Sequence, residues 1–217
     1  MVLPYHTQVN IQVGNVTLQG ELIIPPNAKA IIIFSHGSGS SRFSKRNKTV
    51  ASYLHQKKMG TLLFDLLTQE EDKLYYNRFD IGLLTKRLAG ATEWLEGYPA
   101  AKDCRVGYFG ASTGAASALQ AAAKLIEVGA VVSRGGRPDM ADTEALQAVE
   151  APTLLIVGGR DIEVLQLNKL AYKELHCIKE LKIIEGASHL FEEEGKLEEV
   201  AVHAAAWFEK YLMSATV

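Results

Sequence analysis

Gly110-Ala111-Ser112-Thr113-Gly114 is the segment whose residue types point most directly to chemistry. It fits Gly-x-Ser-x-Gly, follows the apolar run Arg105 to Phe109 and precedes an alanine-rich stretch of helical character. A strand, a sharp turn and a helix are the context that an exposed nucleophilic serine requires. The turn strains the serine backbone, and small neighbours let strand and helix approach while the hydroxyl projects into a cleft. The bare pattern also fits a small-residue turn whose serine caps a helix. The two readings are separated by the partners a nucleophile needs.

A serine hydroxyl is a poor nucleophile until a base removes its proton, and histidine titrates in the right range. Of the six histidines, His189 stands just after the last apolar run, in Gly186-Ala187-Ser188-His189, where a loop residue can reach back toward Ser112. His6 lies near the amino end. His55, His176 and His203 fall on helical segments and read as surface or packing residues. A surface-loop histidine beside Glu192 to Glu194 is the bland alternative for His189.

The imidazole needs a carboxylate on its other nitrogen to hold the tautomer and stabilise the cation. Asp161 ends Val157-Gly158-Gly159-Arg160-Asp161, directly after the penultimate apolar run, and gives the chain order serine, acid, histidine. Asp139 is the runner-up and Glu163 a weaker alternative, and Asp161 itself suits a helix cap before Ile162.

A tetrahedral intermediate carries a negative oxygen that needs preorganised amide donors. Ser35-His36-Gly37-Ser38-Gly39-Ser40-Ser41 supplies a loop of that kind, with His36 and Gly37 at the substrate and the amide of Ser38 expected to pair with that of Thr113. A Gly/Ser loop before a helix can also hold phosphate. The Walker-type lysine is missing and the glycine spacing does not match a dinucleotide fingerprint, so nucleotide binding is disfavoured.

Ser133-Arg134-Gly135-Gly136-Arg137-Pro138-Asp139 places two guanidinium groups near the expected cleft. Arg137, with Arg42, is the pair expected to favour anionic acyl substrates through bidentate contacts. The competing expectation is that these arginines tie loops together through surface carboxylates. No paired histidines or cysteines show ligand spacing on one element, so the reaction is expected to need neither metal nor cofactor.

These motifs need elements that bring them together. Val9 to Val13 and Val16 to Ile24 alternate with period two around Gly14-Asn15, which predicts an antiparallel hairpin. From Ala30 onward short apolar runs (IIIFSHG, TLLFDLL, RVGYFGAS, GAVVSRGG, PTLLIVGGRD, LKIIEGASH) alternate with helical segments near Arg46 to Lys57, Ile81 to Leu95, Gly114 to Ile126, Asp142 to Val149, Val164 to Leu175 and Leu197 to Tyr211. Such alternation predicts an α/β fold with a mostly parallel, buried sheet and helices on both faces. Chemistry in such sheets gathers outside the carboxyl ends of the strands. The His36 loop, Ser112, Arg134 to Asp139, Asp161 and His189 each follow an apolar run directly.

At 217 residues, 47% hydrophobic and with a formal charge of -2, the chain fits one domain spanning residues 1–217. Its basic residues are scattered apart from Arg42 to Lys48, which reads as solvated surface, so nucleic acid is not an expected partner. No apolar run approaches the roughly 20 residues that cross a bilayer, and Met1 to Gly14 lacks the pattern of a secretory signal. A cytoplasmic monomer or homodimer acting on a small molecule is expected, with Cys104 and Cys177 as thiols.

From His36-Gly37 through Ser112 and Asp161 to His189, the sequence resembles the α/β-hydrolase superfamily, and more narrowly its small, capless members related to dienelactone hydrolases and carboxylesterases. The resemblance covers nearly the whole chain and implies the triad and oxyanion roles assigned above. It departs in one respect: dienelactone hydrolases proper use a cysteine nucleophile where this chain has Ser112, so lactone specificity is not carried over. With no insertion long enough for a lid, the expectation is hydrolysis of small, accessible esters or thioesters through an acyl-enzyme. The rivals are an acyltransferase using the same triad and a non-catalytic binding module on the same fold.

Overall fold

The computed structural model describes residues 4–214. The chain opens with β1 (Tyr5–Val13) and β2 (Val16–Ile24), paired antiparallel from Tyr5 opposite Ile24 to Val13 opposite Val16. Gly14 turns the hairpin at φ +59°, a left-handed conformation that glycine adopts without a Cβ penalty. Val9, Ile11 and Val13 point inward while their neighbours meet solvent, as the alternation predicts.

The pattern then changes as the sequence indicates. β3 (Ala30–Ser35), β4 (Gly60–Phe64) and β7 (Thr153–Gly158) are buried at every position, and β5 (Arg105–Ala111) and β6 (Val128–Arg134) nearly so. One eight-stranded sheet results, in the order β1-β2-β4-β3-β5-β6-β7-β8, with β2 against β4 antiparallel and all pairs from β4 to β8 parallel. β8 (Lys179–Ile184) lies at the edge. Its Lys179, Glu180 and Lys182 leave it half-exposed, and charge on an edge strand discourages pairing with another sheet.

Full burial needs cover on both faces. Along β3, Ile31 and Ile33 pack with α3 (Ile81–Glu96) and α4 (Thr113–Ala122) through Leu88, Ala91 and Leu119. The intervening Ala30, Ile32 and Phe34 pack with α1 (Lys45–Gln56) and α7 (Lys196–Phe208) through Leu54, Ala204 and Phe208. Every residue of α4 is buried, which explains its alanine content: only small side chains let a helix sit this tightly between sheet and neighbour. Gly90 serves the same end on α3, since a Cβ there would stand 2.4 Å from Val13 Cγ1.

The remaining helices are α5 (Thr143–Ala148) and α6 (Ile162–Glu174), and α7 runs on into one π-helical turn at Glu209–Met213. The expected helices all occur, with ends displaced by a few residues. One stretch without a predicted element, Leu66 to Arg78, carries the four-residue helix α2 (Gln69–Asp72) and a 3₁₀ turn at Tyr75–Phe79. Polar contacts rather than apolar periodicity make it: a Thr68–Glu71 capping box, Arg87 paired with Glu71, and a two-pronged Arg78 contact to Asp72. These short connections leave no large cap over the sheet. No helix among the described residues is long and apolar enough to cross a membrane.

Phe208 is fully buried between α7 and the sheet, within reach of Gly107. Phe208→Ala should cost roughly 3–5 kcal/mol of unfolding free energy, read from denaturant titration at an unchanged m-value.

Candidate active site

At the carboxyl end of β5 the chain reverses into α4 with Ser112 at φ 51°, ψ −123°, a left-handed conformation costly for any residue with a side chain. The surroundings enforce it. A Cβ on Gly110 would lie 2.5 Å from Ala115 Cα, and one on Gly114 would lie 2.1 Å from the Ser35 carbonyl oxygen. Both glycines are therefore required by backbone-to-backbone approach. The Ser112 main chain is held further by its amide donating to the Arg134 carbonyl at 3.3 Å and by its carbonyl accepting from the Arg137 amide at 3.0 Å. Although it occupies the N-cap position of α4, the Ser112 side chain makes no capping hydrogen bond. Its hydroxyl is thus kept for something other than the helix.

Asp161 behaves in the same way. It stands at the N-cap of α6 without capping it, and its Oδ2 lies 2.6 Å from His189 Nδ1. Asp161 is mostly enclosed and His189 about one-third exposed, so the pair meets solvent mainly on the imidazole side. The loops carrying the two residues fit closely: a Cβ on Gly158 would come within 2.5 Å of the carbonyl oxygens of Ala187 and Ser188. The Arg160 amide donates to the Ala187 carbonyl at 2.9 Å, and Glu193 accepts the Ser188 amide with both carboxylate oxygens. Those contacts hold the Glu193 carboxyl below the usual carboxylate range. Gly135, at φ +51°, lets the loop after β6 run close against the histidine loop, since a Cβ there would sit 3.1 Å from the His189 carbonyl oxygen.

Ser112 and His189 line one cavity of about 230 Å³, together with Gly37, Ser38 and Ala111. A serine with a free hydroxyl and a histidine backed by a carboxylate thus face the same small volume. The runners-up for the acid lie elsewhere. Arg137 grips Asp139 with Nε and Nη2 at 2.9 and 2.8 Å, and Glu163 is exposed on α6.

One of the two expected oxyanion donors needs correction. The Ser38 amide donates at 2.8 Å to the Thr113 hydroxyl and so is not a free donor beside the Thr113 amide. Thr113 is the first residue of α4, where backbone N–H groups have no partner within the helix. His36 is a scaffold residue. Its Nε2 accepts from the Leu66 amide at 3.1 Å, so the proton sits on Nδ1, which donates to the Gly37 carbonyl at 3.0 Å. The ring thereby ties the Gly37 loop to the end of β4, and Gly37 approaches within 3.1 Å of Ser112 Cβ at the Cβ position it lacks.

The arginines also differ from expectation. Arg42 pairs through its amide and guanidinium with Asp65, beside a larger cavity of about 420 Å³ that contains no member of the triad. Arg137 is committed to Asp139. Each guanidinium is thus engaged by a loop carboxylate. The guanidinium groups that do line the cavity of Ser112 are Arg134 and Arg46. Arg134 was visible as a charge at the end of an apolar strand. Arg46 lay in a basic run that reads as surface, and while it stays partly exposed, the placement of α1 brings it to the lining of the cavity.

Burial holds the His36 pKa below the ordinary histidine range. The unfolded chain takes up the proton first, so this contribution to stability is complete above about pH 6.5 and is lost as the pH falls toward the folded-state value. Thermal melts between pH 8 and pH 5 should show a steeper acid loss in wild type than in His36→Gln. His55, shifted in the same direction, is common to both proteins and cancels. The difference is bounded by about 1.4 kcal/mol per pH unit.

A family model described as an alpha/beta hydrolase domain matches residues 28–207, which include all of the site just described. A solved dienelactone hydrolase from Anabaena variabilis is 54% identical, with TM-score 0.94 over 97% of this chain and 100% of its own. The esterase PF2001 of Pyrococcus furiosus shares the fold at TM-score 0.78 and 19% identity, over 96% of this chain and 92% of its own. A curated Mycobacterium tuberculosis protein, whose name proposes a phosphoribosyl transferase, is 51% identical over 94% of this chain but only 46% of its own length. The chain thus spans about half the length of the curated relatives it matches. With the sheet order, the strained serine turn and this coverage together, the chain belongs to the α/β-hydrolase family.

Proposed function

We propose that this chain is a serine hydrolase that cleaves small carboxylic esters or thioesters through an acyl-enzyme. The observation that carries this reading is the 2.6 Å contact of Asp161 with His189 Nδ1, which leaves the other ring nitrogen of a histidine in the cavity of Ser112 available as a base. In the first half-reaction His189 accepts the Ser112 proton as Oγ bonds to the acyl carbon. The same proton then passes to the departing alkoxide or thiolate. In the second, His189 takes a proton from water, the hydroxide bonds to the acyl carbon, and the Ser112–acyl bond breaks as the proton returns to Oγ. Asp161 orients the imidazole and stabilises the imidazolium. The Thr113 amide, at the positive end of α4, is the donor we assign to the developing oxyanion.

The 230 Å³ cavity and the absence of a large cap suit small substrates. The 54% identical neighbour is called a dienelactone hydrolase, which favours the ester bond as the reaction class without carrying over its lactone specificity. The transferase name of the mycobacterial relative belongs to a chain more than twice as long, and the residues present here support acyl transfer to water instead. The half-buried free thiols Cys104 and Cys177 suit a reducing compartment, and the cytoplasm is the location we assign.

A fluorophosphonate probe should label wild type at Ser112, located by mass spectrometry, and fail to label Ser112→Ala and His189→Ala. Turnover of short-chain acyl esters should fall by roughly 10⁴-fold or more in either variant, as loss of a triad member implies. Turnover by Ser112→Ala equal to wild type would sink the proposal.

A further inference from the structure

The lining of the Ser112 cavity carries a buried positive charge that forms no ion pair among the described residues. Arg134, the last residue of β6, is 6% exposed, yet it forms no ion pair among the described residues. Its Nη2 donates one long bond of 3.3 Å to Asn47 Oδ1, its Nε is buried without a partner, and the ring of Phe191 lies 6.0 Å away. Beside it stands Arg46, whose Nη1 reaches only the exposed Glu192 at 3.2 Å and whose Nε is likewise unpartnered. Burial, with Arg46 adding to it, pushes the Arg134 pKa down to about 10, so the guanidinium remains charged at neutral pH.

A buried guanidinium without an ion pair is an expensive arrangement, and the neighbouring positive charge of Arg46, itself partly exposed and paired only with an exposed carboxylate, makes it more so. Each also presents donors in a planar fork suited to oxygen anions. A third positive element meets them, because the N-cap Ser44 and the first-turn residues Arg46 and Asn47 put the amino end of the twelve-residue α1 on the same cavity. Donors converging from two guanidinium groups on different elements and from a helix end match a tetrahedral dianion better than a planar carboxylate, which one guanidinium fork would satisfy.

We propose that Arg134 and Arg46, with Asn47 and the amino end of α1, form a phosphate subsite in the Ser112 cavity, so that the substrates are small esters carrying a phosphomonoester group. The inference rests on the hydrolase reading above for its catalytic consequence, but binding of the anion does not depend on it. The phosphate docks against Arg134 while the ester carbonyl reaches Ser112. Phosphate left on one product then holds that product in the site until it dissociates.

Two measurements separate the two claims. Inorganic phosphate and, in parallel, succinate are titrated onto wild type, Arg134→Met and Arg46→Gln, following amide chemical shifts. Separately, kcat/KM is measured for an acyl ester bearing a terminal phosphate, its carboxylate analogue and its uncharged analogue. Wild type should bind phosphate more tightly than succinate and prefer the phosphorylated ester. In each variant the phosphorylated-to-uncharged ratio should fall by roughly 10- to 100-fold, the range for losing one charge-assisted contact. The melting temperature of Arg134→Met should hold or rise, since a buried unpaired charge is removed. Arg46→Gln, at a partly exposed position, keeps the test valid if the first variant does not fold. A wild-type ratio near one, a preference for carboxylate, or a proportional fall of all three esters in the variants overturns the phosphate subsite while leaving Ser112 labelling to judge the hydrolase reading. If no ester is turned over, saturable phosphate binding lost in both variants still upholds the subsite, and its absence ends it.

Discussion

The close approach of α4 to the carboxyl ends of β3 and β5 is the constraint on which the site depends. Gly114 lies where any Cβ would collide with the Ser35 carbonyl at 2.1 Å, and Gly110 where one would meet Ala115. That contact forces Ser112 into a left-handed backbone conformation and frees its side chain from capping the helix. The strain is supported from three sides: the β5–β6 ladder, the amide of Arg137 on the Ser112 carbonyl, and a core in which α4 is buried throughout. An isolated strand–turn–helix of the same sequence would relax.

From that fixed point the other groups are placed by the sheet rather than by local sequence. Parallel pairing of β5, β6 and β7 brings the ends of three strands into one row, and the register sets Ala111 opposite Arg134 and Arg134 opposite Ile156. The loops leaving those ends interlock through glycines at 135 and 158, which admit the backbone of the His189 loop to within contact distance. Asp161 then meets His189 although 28 residues separate them. Charge follows the same geometry. Asp161 answers His189, Asp65 answers Arg42 and Asp139 answers Arg137, whereas Arg134 is left facing the cavity with only an amide oxygen. An interior that pairs its other loop arginines and leaves this one open has its positive potential focused on the volume beside the serine.

Much of this was legible in the residues themselves. Period-two alternation in the hairpin, continuous apolar runs in the buried strands and helical periodicity between them reproduce the observed element order, because burial on one face or on both imposes different patterns. Gly110, Ser112 and Gly114 declare their turn by residue type and spacing, although only the Gly110 contact with Ala115 is local and Gly114 answers to the Ser35 carbonyl on β3. Less legible was the stretch from Leu66 to Arg78, whose short helix is held by polar contacts to Arg87 and to its own cap instead of by a repeating apolar face.

By itself, then, the sequence determined the class of fold, the strand ends at which chemistry can occur, and the identities of Ser112, Asp161 and His189 as the residues to watch. These follow from local sterics and from the periodicity of burial. Tertiary structure alone decided which polar groups are free. The commitment of the Ser38 amide to Thr113 and of Arg42 to Asp65, and the placing of Arg46 and Arg134 on the cavity of Ser112, depend on the distance between groups remote in sequence, while Arg137 closes on Asp139 within its own loop. Hydrogen bonds and ion pairs are short-ranged and directional, so the packing of helices on the sheet settles them and residue type does not.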